Sequence, residues 1–296
     1  MKKLLIILLL LVTSFANAKG RETRGTVLKS LQFKSEILDT IVNYSVYLPA
    51  NYEKSGKKYP VLYLLHGYTD NETNWIKWGW VDEVADKEIL SGEVDDMIII
   101  MPNGWLLWYV NQPDGKFNYE DMFVKELIPF VEKEYRIKSD KKNRSIGGLS
   151  MGGYGALGYS MRHTDLFATC IAYSAAIRPD DEVLKLTQKH FDGLYAPVYG
   201  KNVEGKARLS KHWNENNPIY LANKISAEEL QSVNWYITIG DDDWLYYGNS
   251  VLRKIFRDRK IPHEYRVYEG NHNWNYWRAH IGEGLQFITK YLRMEK

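Results

Sequence analysis

The chain of 296 residues contains a single cysteine, Cys170, so an internal disulfide is excluded. Its neighbours, Ala168-Thr169-Cys170-Ile171-Ala172, are those of a small packed hydrophobe. The seven histidines are scattered, and no Cys/His/carboxylate cluster has metal-ligand spacing. Neither a metal nor any other cofactor is therefore expected. An excess of one charge is also missing: 39 basic side chains, less Lys2 and Lys3 of the leader described next, face 37 acidic ones. A near-neutral protein has no electrostatic bias toward nucleic acid or anionic lipid.

A long apolar run is lacking as well. The start, Met1-Lys2-Lys3, the apolar run Leu4 to Val12 and the closing Ala16-Asn17-Ala18 have the charge, core and small-x-small site of a signal peptide. Leu4 to Phe15 is shorter than the roughly 20 apolar residues that span a bilayer. No Cys follows Ala18, which argues against lipid attachment. The expectation is a signal peptide at 1–18, export to a periplasm or out of the cell, and no stable membrane insertion once the leader is cut.

What is present, at 45% hydrophobic residues, is enough to build a full core, read as one domain over 19–296. Residues 26–35 and 41–48 alternate with β-formers and read as antiparallel opening strands. Short continuous apolar runs follow at Val61 to Leu65, Met97 to Met101, Arg144 to Leu149, Phe167 to Tyr173, Val233 to Ile239 and Glu264 to Tyr268. Such runs suit strands covered on both faces. Helix-sized segments lie between them, roughly 75–90, 118–135, 151–163, 246–260 and 274–292. Strand and helix in alternation predict a mostly parallel central sheet of about eight strands with helices on both faces. Residues 178–225, with Pro179, Pro197 and Pro218, are longer than one crossover needs and read as an inserted cap or lid.

Gly148-Leu149-Ser150-Met151-Gly152 is a Gly-x-Ser-x-Gly pattern, which chance supplies in roughly one chain of this length in ten. Its setting carries the weight. A strand ends at Leu149 and a Gly/Ala-rich helix starts at Met151, the context of a nucleophile elbow. Such a turn is too sharp for a Cβ on either side of the serine, and the helix N-terminus aims free N–H groups at the reacting oxygen. A serine hydroxyl needs a base, and the base an acid, in the chain order Ser, Asp or Glu, His. Asp241-Asp242-Asp243 follows one late strand and His272 the next, at the strand ends where ligand chemistry collects. Spacing alone does not choose among the three aspartates. His66-Gly67-Tyr68 follows the third predicted strand, so the backbone N–H groups of Tyr68 and Met151 are assigned to an oxyanion hole.

Leu64-Leu65-His66-Gly67, Met101-Pro102-Asn103-Gly104, Glu126-Leu127-Ile128-Pro129, Gly148-Leu149-Ser150-Met151-Gly152-Gly153 and the His272 segment together resemble the esterase D/feruloyl esterase family, which includes carbohydrate esterase family 1. The resemblance runs from about Thr26 to Leu292. It implies the α/β-hydrolase fold and a triad of Ser150, Asp243 and His272, with Asp243 as the fourth residue of Gly240-Asp241-Asp242-Asp243. The family also holds mycolyl and other acyltransferases, so hydrolysis is an inference from the resemblance.

Aromatics crowd the predicted loops. Trp75, Trp105, Trp108, Trp244 and Trp274 are candidate substrate-binding side chains, since flat rings suit sugars and aromatic acyl groups. The competing assignment for each is core packing. With export, these features suggest a feruloyl or acetyl ester of a plant polysaccharide, delivered as a small-molecule or oligosaccharide substrate. A general short-acyl esterase or acyltransferase is the alternative. A non-catalytic carbohydrate-binding protein is a third reading, against which the intact Ser150, Asp243 and His272 set argues. Oligomeric state is not legible in the sequence.

Overall fold

Successive side chains of the central strands are buried on opposite faces, which builds two cores from one sheet. A computed structural model describes residues 24–294, and the leader read at 1–18 lies outside them. The strands are β1 (Thr26–Ser35), β2 (Thr40–Leu48), β3 (Val61–Leu65), β4 (Ile98–Pro102), β5 (Arg144–Leu149), β6 (Thr169–Tyr173), β7 (Asn234–Gly240) and β8 (His263–Tyr268). Val61, Tyr63 and Leu65 enter one apolar cluster while Leu62 and Leu64 enter the other, as the period of two requires. Ile98 and Ile100 against Ile99 repeat the pattern on β4. Cys170 is buried in the first cluster, and burial pushes its thiol up to about 12, which fits the packed hydrophobe expected of it.

The eight strands form one sheet in the order β1-β2-β4-β3-β5-β6-β7-β8. β1 and β2 pair antiparallel, as do β2 and β4, and every pair from β4 through β8 is parallel. One face carries the helices Ile128–Glu134 and Met151–Arg162, and the other carries Val81–Ser91 and Trp274–Met294. This is the α/β-hydrolase architecture, with β3 through β7 covered on both faces; β8, expected to be covered as well, is an edge strand with no fully buried residue. Their C-terminal ends share one edge, and there the loops after β3, β5, β7 and β8 meet.

Two helices depart from the expected spans. The segment 75–90 is two helices, Asn74–Lys77 and Val81–Ser91, parted at Trp80 with φ of 48°. A Cβ on Gly79 would meet the Trp75 carbonyl oxygen at 2.6 Å and the Trp274 ring at 3.0 Å, so this break has no room for a larger residue. The segment 118–135 widens into a π-helical turn at Phe123–Leu127 just before Pro129. Proline has no N–H and its ring crowds the carbonyl four residues back, so a wider turn relieves the clash. Between β6 and β7 the chain runs through helices Asp180–Lys185, Gln188–Tyr199, Lys211–Asn216, Pro218–Lys224 and Ala227–Gln231. Three side-chain bonds tie Gln188–Tyr199 to the sheet loops: Tyr68 Oη to Gly193 O at 2.8 Å, Trp108 Nε1 to Leu194 O at 2.8 Å, and Gln112 Nε2 to Pro197 O at 2.7 Å.

Candidate active site

Ser150 stands between β5 and the helix Met151–Arg162 with φ of 52° and ψ of −116°, a conformation costly for a residue with a side chain. The turn is held from three directions. Its amide donates to Tyr173 O at 2.9 Å, and its carbonyl accepts from Tyr154 at 3.0 Å and Ala176 at 2.9 Å. A Cβ on Gly148 would sit 2.5 Å from the Gly152 carbonyl carbon, and one on Gly152 would sit 2.7 Å from His66 O. The two glycines of the motif are therefore required by backbone contact.

His272 Nε2 lies 2.9 Å from Ser150 Oγ. On its other side, His272 Nδ1 meets Asp243 Oδ2 at 2.9 Å and Oδ1 at 3.1 Å. The Asp243 side chain is fully buried, and its Oδ1 also accepts from the Leu245 amide at 2.9 Å. Asp241 does different work. Its Oδ1 accepts from the Gly270 amide at 2.9 Å and the Asp242 amide at 3.1 Å, which ties the loop after β7 to the loop after β8. Asp242 is exposed. Of the three aspartates, Asp243 is the one bonded to the imidazole.

The His272 ring is bracketed by two indoles. Trp277 meets it edge-on at 5.0 Å, and Trp244 lies at 5.0 Å with a tilt of 54°. Trp277 is itself fixed by its Nε1 bond to Ser174 Oγ at 3.1 Å. These contacts limit the ring to the plane in which both of its nitrogens are bonded.

Across from them is the loop after β3. The amide of Met151 is the first of its helix and has no carbonyl of that helix to bond. The amide of Tyr68 finds no hydrogen-bond acceptor among the described residues. His66, which precedes the serine in the chain, organises this loop. Its Nε2 accepts from the Gly104 amide at 2.8 Å, so its proton is on Nδ1, which donates to Gly67 O at 2.8 Å. The Tyr109 hydroxyl holds the His66 carbonyl at 3.0 Å. Burial lowers the imidazole to about 4, keeping it neutral. The Leu-His-Gly and Asn-Gly pairs were visible in the sequence, but only long-range packing joins them.

A cavity of about 430 Å³ opens over Ser150 and His272. Of the five candidate tryptophans, Trp108, Trp244 and Trp274 line it. Trp75 does not: it is buried, with its Nε1 donating to Leu65 O at 2.9 Å and its ring against Tyr173 and Trp274, so it supports the wall from behind. Trp105 does not either. It packs edge-on to Phe117 and Tyr119 beside a separate groove. A tryptophan near a strand end reads the same in sequence whether its ring turns toward the cavity or into the core. The cavity also contains two charged groups that sequence reasoning missed. Asp70 accepts from Asn74 Nδ2 at 2.7 Å, and burial raises its carboxyl. Arg178 lies over the Trp244 ring at 4.9 Å. Among the described residues no group of His, Cys and carboxylates is placed to hold a metal.

Comparison with known proteins gives a consistent result. The model of the Esterase family, described as "Putative esterase", matches residues 35–288. A solved structure of a ferulic acid esterase is 32% identical, with a TM-score of 0.77, covering 91% of this chain and 99% of the other. An acetyl esterase of Caldicellulosiruptor saccharolyticus is 26% identical over 77% of this chain and 83% of its own length. An esterase of Mycobacterium tuberculosis is 27% identical over 81% of this chain, which spans only 54% of that longer protein.

Proposed function

Because the chain belongs to the esterase family whose model spans residues 35–288, we propose that it is a carboxylic-ester hydrolase of the serine type. The observation that carries the reading is the 2.9 Å hydrogen bond between Ser150 Oγ and His272 Nε2, with Asp243 behind the imidazole. Ser150 attacks the ester carbonyl as His272 Nε2 takes its proton, and Asp243 stabilises the imidazolium through Nδ1. Charge developing on the carbonyl oxygen meets the amides of Tyr68 and Met151, each such donor contributing roughly 2.7 to 4 kcal/mol in enzymes of this kind. The alcohol leaves with the proton from His272. Water, activated by the same imidazole, then frees the acid from Ser150.

The substrates we propose are feruloyl or acetyl esters of plant polysaccharides. Three features support this class: the names of the ferulic acid esterase and acetyl esterase relatives, the aromatic walls of Trp108, Trp244 and Trp274, and a volume that suits an aromatic acyl group. Residues 178–225 act in this reading as a cap, with Arg178, Leu194 and Tyr195 as its contribution to the cavity wall. Export through the leader at 1–18 would bring the enzyme to such substrates.

The test is a panel of feruloyl, acetyl and butyryl esters on sugars and on simple alcohols, run with the wild-type protein and Ser150→Ala. Turnover of sugar esters above simple esters by the wild type alone is expected. Equal turnover by Ser150→Ala would remove the serine mechanism, and preference for simple alcohol esters would remove the polysaccharide substrate.

A further inference from the structure

Ten tryptophans occur in the chain, and three of them are largely exposed: Trp78 at 46%, Trp80 at 47% and Trp244 at 56%. Trp244 lines the cavity and meets the His272 ring at 5.0 Å, while Trp78 and Trp80 lie outside the cavity lining. Trp78 and Trp80 lie on the turn between Asn74–Lys77 and Val81–Ser91, and this turn is fastened to the helix Trp274–Met294 whose first residue also lines the cavity. Gly79 packs on the Trp274 ring, Arg278 Nη1 donates to Trp78 O at 3.5 Å, and the Arg278 guanidinium lies 4.0 Å over the Trp80 ring. Arg278 is one helical turn beyond Trp274, about 6 Å along the axis.

Large exposed rings cost solvation that burial would recover, so two of them on one short turn that packs on the cavity-lining Trp274 call for a use. We propose that Trp78 and Trp80 form a stacking platform for the sugar chain of a polysaccharide ester, extending the cavity beyond Trp274 so that neighbouring pyranose units are held while one ester is cut. The proposal rests on the polysaccharide-ester reading above. Its chemistry is that of the patch. Indole faces suit the C–H faces of pyranose rings, and Lys77, 4.6 Å over Trp78, and Arg278, 4.0 Å over Trp80, place N–H donors beside them for sugar hydroxyls. A lipid surface would be favoured by aliphatic side chains around the rings or by a net positive protein, and the balanced charge of residues 19–296 supplies no such attraction.

The experiment compares wild type, the Trp78→Ala/Trp80→Ala variant and the Trp78→Tyr/Trp80→Tyr variant, with thermal melting as the folding control. Three readouts are used: hydrolysis of a small soluble acetyl ester, hydrolysis of acetylated or feruloylated xylan, and retardation in gels containing unesterified xylan. The alanine variant is expected to cut the small ester at the wild-type rate, to lose about tenfold in kcat/KM on the esterified polymer and to lose retardation, with the tyrosine variant retaining most of both. Equal kcat/KM on the polymer for wild type and the alanine variant would overturn the platform. If the wild type leaves the esterified polymer uncut, the polysaccharide-ester reading fails, and retardation decides the platform alone: loss of it in the alanine variant upholds the sugar site, and its absence in the wild type overturns it. Sedimentation of wild type, but not of the alanine variant, with phosphatidylglycerol vesicles in place of xylan retardation would give the patch to a lipid surface and also overturn it.

Discussion

The Gly104 amide donates to His66 Nε2 at 2.8 Å, joining the loop after β4 to the loop after β3 through a neutral, buried imidazole. His66 thereby holds the loop that carries Tyr68, whose amide is the one proposed for the oxyanion hole. The bond exists only while Nε2 is unprotonated, and this gives the loop a pH dependence.

His66 is held at about 4 in the folded protein, below its ordinary 6.5. The unfolded chain therefore binds this proton first as pH falls. The resulting stability is complete above pH 6.5 and is lost as pH drops toward 4, by about 3 kcal/mol over that window. His66→Gln can still accept from Gly104 and does not titrate. Melting temperatures measured from pH 7 to pH 4 should fall less steeply for the variant, and parallel slopes would assign the acid sensitivity elsewhere.

Asp243 and Asp241 should part clearly. Asp243→Asn is expected to lower kcat by about 10²- to 10⁴-fold with little change in melting, since the amide presents the wrong partner to His272 Nδ1. Asp241→Ala removes a loop tie and should cost about 1 kcal/mol of stability while kcat changes by a few-fold at most. Steady-state kinetics beside denaturant unfolding separates the two, and a larger kcat loss for Asp241→Ala than for Asp243→Asn would reverse the assignment.

Gly152→Ala places a methyl 2.6 Å from the Leu65 carbonyl carbon and 2.7 Å from His66 O. Backbone cannot yield as a flexible side chain does, so a loss of about 3 kcal/mol is expected, with kcat reduced because the loop after β3 is pushed from the serine. A variant with wild-type unfolding midpoint would show that the contact relaxes freely.

Trp75→Ala and Trp244→Ala test the two fates of an aromatic near a strand end. The first empties a buried site and should cost about 3 to 5 kcal/mol. The second removes an exposed cavity wall, so KM for an aromatic acyl ester should rise by several-fold with melting unchanged. Equal melting temperatures for the two variants would contradict the burial of Trp75.

Activity should withstand chelator, since no step of the proposed chemistry uses a metal and no described group of residues is placed to hold one. Loss on dialysis against chelator, restored by a divalent ion, would require a different mechanism.

The sequence by itself determined the parts of this protein governed by local spacing. Continuous apolar runs specified buried parallel strands, their alternation with helices specified the sheet, and the glycines at 148 and 152 specified a turn that no Cβ permits. It also put Ser150, an aspartate group and His272 at successive strand ends in one order. Only the tertiary structure decided which oxygen meets which nitrogen. Asp241 and Asp243 stand two residues apart in the turn after β7, and what separates them is where the loop after β8 crosses: the Gly270 amide takes Asp241, and His272 takes Asp243. The same holds for the rings. Whether a tryptophan supports the core, as Trp75 does, or lines the cavity, as Trp274 does, depends on partners up to 199 residues away, and no local pattern encodes that distance.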